Sequence, residues 1–281
     1  MNDRAVVPPR AGADVPPAPP LWSEVLDIAP GAIAARREPA FLFVHGDFST
    51  GPVTWSRQWS GLAGLRRLIV VDRRGHGRSP AEPSPYTLRA DARDILRVAA
   101  ERAGGPVALV GHSYGAIACI EAALIAPERV AALHLIEPPL LGLAPGDPAV
   151  AALADAARAL HAAAPQLPAE ELARRFFALV AGDAAAEALR ERPVWQALVA
   201  EAARFGREEF AGEYPPDRPA RLRHSLPVTI YSGSESHPAL RRLARRLHEL
   251  LPQSRLLSFP GAAHDVQRLG EPFNRALLAY S

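Results

Sequence analysis

Short apolar runs, each stopped by Gly, Pro or Asp, recur along the chain from Phe41 onward. Phe41-Leu42-Phe43-Val44 ends at His45-Gly46, Leu68-Ile69-Val70-Val71 at Asp72, and Val107-Ala108-Leu109-Val110 at Gly111. Val130 to Ile136, Val228 to Tyr231 and Leu256 to Phe259 complete the set. Runs of this length and boundary fit strands buried on both faces of a parallel sheet. Between them, Thr87 to Arg102, Tyr114 to Ala126 and Ala239 to Leu251 carry apolar residues at helical spacing. Alternating strands and helices predict an α/β fold with a parallel sheet covered on both sides. Residues 21 to 38 offer a weaker pattern that suits an antiparallel edge hairpin.

The alternation breaks between Pro138 and Arg223, where Ala, Leu, Arg and Glu dominate at helical spacing without a strand. That stretch is too long for a plain connection, and it predicts a helical cap inserted into the sheet domain. The expected organisation is a core of residues 21–138 and 223–281 with a cap of 139–222. Residues 1–20, rich in Pro and Ala, read as a disordered tail.

Composition narrows the picture further. At 281 residues the chain can bury a sizeable core, and 48% hydrophobic with 22% charged residues is ordinary globular usage. A net charge of +2 is too weak to argue for nucleic acid or an anionic membrane as partner. All basic residues are Arg, which reflects coding bias and carries no functional information. A single cysteine, Cys119, excludes an intrachain disulfide and fits a reducing cytoplasm. No segment has the length and apolarity of a membrane span or a signal peptide.

The chemistry begins at Gly111-His112-Ser113-Tyr114-Gly115, between an apolar strand and a helical segment. A nucleophile on a sharp strand-to-helix turn needs small neighbours, because strand and helix come close there. The serine then stands at a helix N-terminus, which favours developing negative charge. With Phe43-Val44-His45-Gly46, with Val71-Asp72-Arg73-Arg74-Gly75-His76-Gly77-Arg78-Ser79 and with Phe259-Pro260-Gly261-Ala262-Ala263-His264, the chain resembles the α/β-hydrolase superfamily. The resemblance runs from about Phe41 to Tyr280. It implies an α/β-hydrolase fold of about eight mostly parallel strands, a cap after the family's sixth strand, and a triad ordered Ser, acid, His.

Serine attacks at neutral pH only if a base takes its proton. His264, on a loop past the last apolar run, is the expected base. His45 and His112 sit in motifs where structural or substrate-edge roles are expected, His76 is expected to hydrogen-bond within its loop, and His237, the competing base, precedes Pro238 at what reads as a helix start. The acid is less direct. The commonest family arrangement places an Asp three residues after a Gly at a later strand end, and here that position is Ser236. Glu137, at the end of Val130 to Ile136, matches a family branch that includes one group of haloalkane dehalogenases, and it is taken as the acid. Glu235 is the alternative. Asp72, Asp94 and Asp265 are not expected to serve.

The resemblance further implies an oxyanion hole made of the Tyr114 backbone N–H and one from Asp47 or Phe48. Asp47 beside a forming oxyanion is unusual: its side chain must turn away, be protonated or bind a substrate group, unless it only caps the loop or helix that begins near Ser49. No metal-ligand spacing or dinucleotide fingerprint occurs, so neither a metal nor a cofactor is expected. Cys119 is expected to pack in the helix after the elbow. Phe176, Phe177, Trp195 and Phe205 in the cap imply an apolar pocket. The expected function is a serine hydrolase for a small or medium acyl substrate, ester-like or cleaved at a C–C bond. The competing classes are a non-hydrolytic enzyme on the same scaffold (lyase, cyclase or cofactor-free oxygenase) and a non-catalytic small-molecule binder. Oligomeric state is not encoded in any motif.

Overall fold

The computed structural model describes residues 19–27, 38–81 and 86–281. The expected N-terminal tail lies almost wholly outside them, as does part of the expected edge hairpin. In chain order the first half contains β1 (Ser23–Leu26), β2 (Ala40–Val44), α1 (Gly51–Gly61), β3 (Leu68–Val71) and α2 (Leu88–Arg102). There follow β4 (Val107–His112), α3 (Tyr114–Ile125) and β5 (Val130–Ile136). Five helices come next: α4 (Pro148–Ala163), α5 (Ala169–Ala181), α6 (Asp183–Arg190), α7 (Trp195–Ala200) and α8 (Ala202–Phe205). The chain then returns through β6 (Val228–Gly233), α9 (Pro238–Leu250), β7 (Ser254–Phe259) and α10 (Glu271–Ala279).

Among the described residues the sheet has seven strands, in the order β1-β3-β2-β4-β5-β6-β7, where about eight were expected. Only β1 runs antiparallel, pairing Ser23 with Val71 through Leu26 with Leu68. Residues along each inner strand alternate between two cores, which is why the strands read as continuous apolar runs. Leu42, Val44, Leu109, Leu133 and Ile230 pack under α2, α3 and α9. Phe41, Phe43, Val110, Ile136 and Tyr231 pack on the other side with Trp55 of α1 and Phe273 of α10.

From β2 the chain crosses outward to β3, then back to β4 on the other side of β2. Such a reversal leaves a crevice at the carboxyl ends of the two diverging strands, where open α/β sheets hold their ligands. His45 to Phe48 follow β2 and Ser113 follows β4, so both segments meet at that crevice. The helices α4 to α8 connect β5 to β6 and have their own apolar cluster, which includes Phe48 from the sheet domain.

Candidate active site

Ser113 opens the turn between β4 and α3 with φ 54° and ψ −123°. A non-glycine residue at positive φ costs about 1–3 kcal/mol and survives only where its surroundings enforce it. The enforcement is visible. A Cβ on Gly115 would lie 2.4 Å from the His45 carbonyl oxygen, and one on Gly111 would lie 2.5 Å from the Ala116 Cα. Strand, helix and the loop after β2 are thus in backbone contact, and only glycine fits at either position. The Ser113 N–H donates to Ile136 O at 2.9 Å, tying the turn to the end of β5.

His264 follows β7 and is nearly buried. Its Nδ1 donates to Glu137 Oε2 at 2.7 Å. Glu137 sits one residue past β5 at φ 42°, fully buried. Besides His264, its carboxylate accepts from Ser232 Oγ at 2.8 Å, the Gly233 N–H at 2.9 Å and Ser236 Oγ at 2.5 Å. Burial alone would raise its pKa, but the donors from His264, Ser236 and Gly233 outweigh burial and hold it below the usual range. Burial likewise disfavours the His264 cation, yet the hydrogen bond and charge of Glu137 raise its pKa above the ordinary imidazole value.

Glu235 is placed elsewhere. It is exposed, its carboxylate accepts from Ser234 Oγ at 3.0 Å, and its N–H donates to Ala262 O at 2.8 Å. Ser236, the position of the usual family Asp, points at Glu137 instead. The helpers Ser232, Gly233 and Ser236 had no signal in the sequence beyond the departure at position 236.

His45, His237 and His112 have local contacts of their own. His45 donates from Nδ1 to Gly46 O at 2.7 Å and accepts the Arg73 N–H on Nε2 at 2.9 Å. Burial holds its pKa well below normal, so the ring is neutral. His237 accepts the Ala239 N–H and so caps α9. His112 stacks at a tilt on His264, with ring centroids 4.6 Å apart, and burial lowers its pKa to about 4. Asp72 joins two loops by accepting the Gly51 and Arg78 N–H groups at 2.8 and 3.0 Å. Asp94 pairs with Arg74 at 2.6 Å, and Cys119 is buried in α3.

Ser113, His264, Asp47 and Phe48 line one cavity of about 310 Å³, together with Phe176 and Phe177 of α5. Phe205 lines a second, smaller cavity, and Trp195 is buried among the helices between β5 and β6. Phe48 stands at φ 51°. Asp47 turns its carboxyl toward Arg73 Nη1 at 3.4 Å. Burial, then the nearby Glu208 charge, raise its pKa, and Arg73 offsets only part of this.

Asp47 also borders a buried ionic group centred on Arg73. The guanidinium of Arg73 meets Glu208 at 2.5 Å and Asp91 at 3.3 Å, and lies 4.0 Å above the Tyr114 ring. Both ring nitrogens of His76 face carboxylates, Glu208 at 2.8 Å and Glu201 at 3.0 Å. Burial opposes protonation of His76, but these two carboxylates raise its pKa. Glu201 and Glu208 come from the segment between β5 and β6, so the group joins that segment to the sheet domain. Among the described residues, no group of three or more His, Cys, Asp or Glu is placed to hold a metal ion, and no helix is long and apolar enough to cross a membrane.

The sequence pattern of the Alpha/beta hydrolase family matches residues 41–276, and the chain belongs to that family. It is 31% identical over 221 residues to a pimeloyl-[acyl-carrier protein] methyl ester esterase of Methylococcus capsulatus, a match covering 76% of each chain. It is 37% identical over 106 residues to an epoxide hydrolase of Caballeronia sordidicola, but that match spans 37% of this chain and 32% of the relative. The structure resembles an alpha/beta hydrolase from Sphaerobacter thermophilus with a TM-score of 0.71 at 22% identity, covering 94% of this chain and 99% of that one.

Proposed function

We propose that the protein is a serine hydrolase that cleaves a small or medium acyl substrate through an acyl-enzyme, with Ser113, His264 and Glu137 as its triad. The observation that carries the proposal is the 2.7 Å bond from a fully buried, four-donor Glu137 to His264, which lines the same cavity as Ser113. In this reading Ser113 Oγ attacks the acyl carbonyl while His264 Nε2 takes its proton. Glu137 holds the Nδ1–H tautomer and stabilises the imidazolium. The carbonyl oxygen, now negative, receives the backbone N–H of Tyr114 and that of Phe48 or Asp47. Collapse expels the leaving group with the proton from His264, and water attacks the acyl-enzyme by the same relay. The helices of 139–222 act as a cap that closes the substrate site, with Phe176 and Phe177 supplying apolar lining. No step uses a metal or a cofactor.

A fluorophosphonate probe tests the nucleophile. We expect a covalent adduct on Ser113, located by mass spectrometry and absent in Ser113→Ala. A folded wild-type protein that takes up no probe would sink the proposal. The pH dependence supplies an independent check. Turnover needs the neutral imidazole, and Glu137 raises the pKa of His264. Activity is therefore expected to rise with pH through an inflection above the usual histidine value of about 6.5. An inflection below that value would contradict the contact with Glu137.

A further inference from the structure

Two cavities open at Ser113. One has a volume of about 310 Å³ and the other about 70 Å³. Their linings share four residues only: Ser113, His264, and Phe176 and Val180 of α5. Phe176 and Val180 are one helical turn apart and face the same way. The wall between the chambers is thus one turn of one helix, standing over the reactive serine.

Phe176 is held in that place from several sides. Its ring stacks on Phe48 with centroids 4.2 Å apart, and meets Phe205 and Phe177 edge-on at 5.3 and 5.4 Å. Phe48 belongs to the loop after β2, so the partition is fastened to the same segment that flanks the serine.

We infer that Phe176 divides the substrate site into a small acyl chamber and a large leaving-group chamber, and so restricts the enzyme to short acyl groups. The inference rests on the serine-hydrolase reading above. The orientation follows from proton transfer. His264 must protonate the departing oxygen, so the leaving group lies on the side of its loop. Ala263, Asp265 and Arg268 of that loop line the large chamber and not the small one. The acyl chain then enters the small chamber, walled by Leu141, Leu153, Phe205 and Phe210.

Size sets the limit. A dry cavity of about 150 Å³ accepts a six-carbon benzene ring. By that scale a chamber of about 70 Å³ holds about three carbons beyond the carbonyl. The expected substrates are esters of acids no longer than butyric, joined to an alcohol large enough to use the other chamber. The large chamber is apolar along Phe177 and Leu189, with Asp47, Arg192 and Arg268 among its polar lining, which suits an alcohol with both apolar and polar parts.

The test is a series of p-nitrophenyl esters from acetate to octanoate, run on wild type, Phe176→Ala and Ala157→Leu. Ala157 lines only the small chamber. For wild type we expect kcat/KM to drop about tenfold or more from butyrate to hexanoate, the scale of one or two carbons that do not fit. Phe176→Ala should raise the hexanoate-to-acetate ratio about tenfold or more, and Ala157→Leu should lower the butyrate-to-acetate ratio. Loss of packing alone would lower all esters together and leave the ratios unchanged. Wild-type turnover that is flat from acetate to octanoate, or unmoved ratios in both variants, overturns the partition while the serine reading stands. Selectivity that appears instead in acetates of increasingly large alcohols overturns the orientation. No ester turnover, with no probe on Ser113, overturns the serine reading, and the partition falls with it.

Discussion

Glu137→Gln is expected to lower kcat by about 10³ to 10⁴ with little change in the fold. Four donors converge on the Glu137 carboxylate, from Ser232, Gly233, Ser236 and His264. An amide has one oxygen to offer them, and its NH₂ group faces donors wherever it turns. His264 then loses its acceptor or flips to the tautomer that cannot take a proton from serine. The inflection of the pH profile should fall at the same time, because the partner that raises the imidazole pKa is gone. Glu235→Gln, whose carboxylate touches only Ser234 on the surface, is the companion measurement. It should stay within about twofold of wild type, as surface substitutions do. A large loss from Glu235→Gln with none from Glu137→Gln would reverse the assignment.

Arg73→Met should cost stability rather than chemistry, by about 3–5 kcal/mol. Arg73 is nearly inaccessible and meets Glu208, Asp91 and Asp47. Removing the cation leaves three carboxyls in a water-poor pocket with His76 as the remaining partner. Against a total stability of about 5–15 kcal/mol, the loss should appear as a large shift in the urea midpoint. Its pH dependence has a definite sign. Burial raises the pKa of both Asp47 and Asp91, so these groups gain protons as pH falls toward the acid range. Neutral carboxyls need no cation, so the deficit of the variant should shrink at pH 5 and be greatest at pH 8. Arg275, three-quarters exposed in its pair with Glu271, supplies the contrast. Arg275→Met should cost less than about 0.5 kcal/mol and leave the midpoint nearly unmoved. Equal shifts from the two substitutions would show that the buried group is not what holds the segment of Glu201 and Glu208 to the sheet.

The sheet was legible because its inner strands are buried on both sides, which leaves no polar position to interrupt Phe41 to Val44 or Val107 to Val110. The strands outrun their apolar runs for a physical reason. β4 continues through Gly111 and His112, and β6 through Ser232 and Gly233, because a ladder needs backbone groups and not apolar side chains. Those are also the ends where the chemistry collects, so the apolar pattern stops where the site begins. The elbow was legible through its glycines, which the crowding at His45 and Ala116 requires. Glu137 was readable as a strand end before Pro138. Its donors were not, since Ser232 and Ser236 lie nearly a hundred residues away in sequence. Glu208 was hidden for the same reason: in an Ala-, Arg- and Glu-rich stretch it looks like any solvated carboxylate, and only the fold brings it to Arg73. Phe176 was readable as an apolar cap residue, but which way its ring faces depends on Phe48.

The meeting of Ser236 Oγ and Glu137 Oε2 at 2.5 Å carries a consequence for descent. Glu137, past β5, meets the imidazole Nδ1, and Ser236, past the neighbouring β6, meets Glu137, so two adjacent strand ends offer seats for the acid of the proposed triad. An ancestor with carboxyls in both seats would hold one of them protonated, since two like charges at that separation do not both ionise. The neutral carboxyl would then donate to the charged one much as the Ser236 hydroxyl does now. In the proposed triad the acid would thus change seats through a doubly occupied intermediate, and no generation along the route would need to do without it. A small hydroxyl in the vacated seat, still donating to its successor, is the trace that such an exchange would leave.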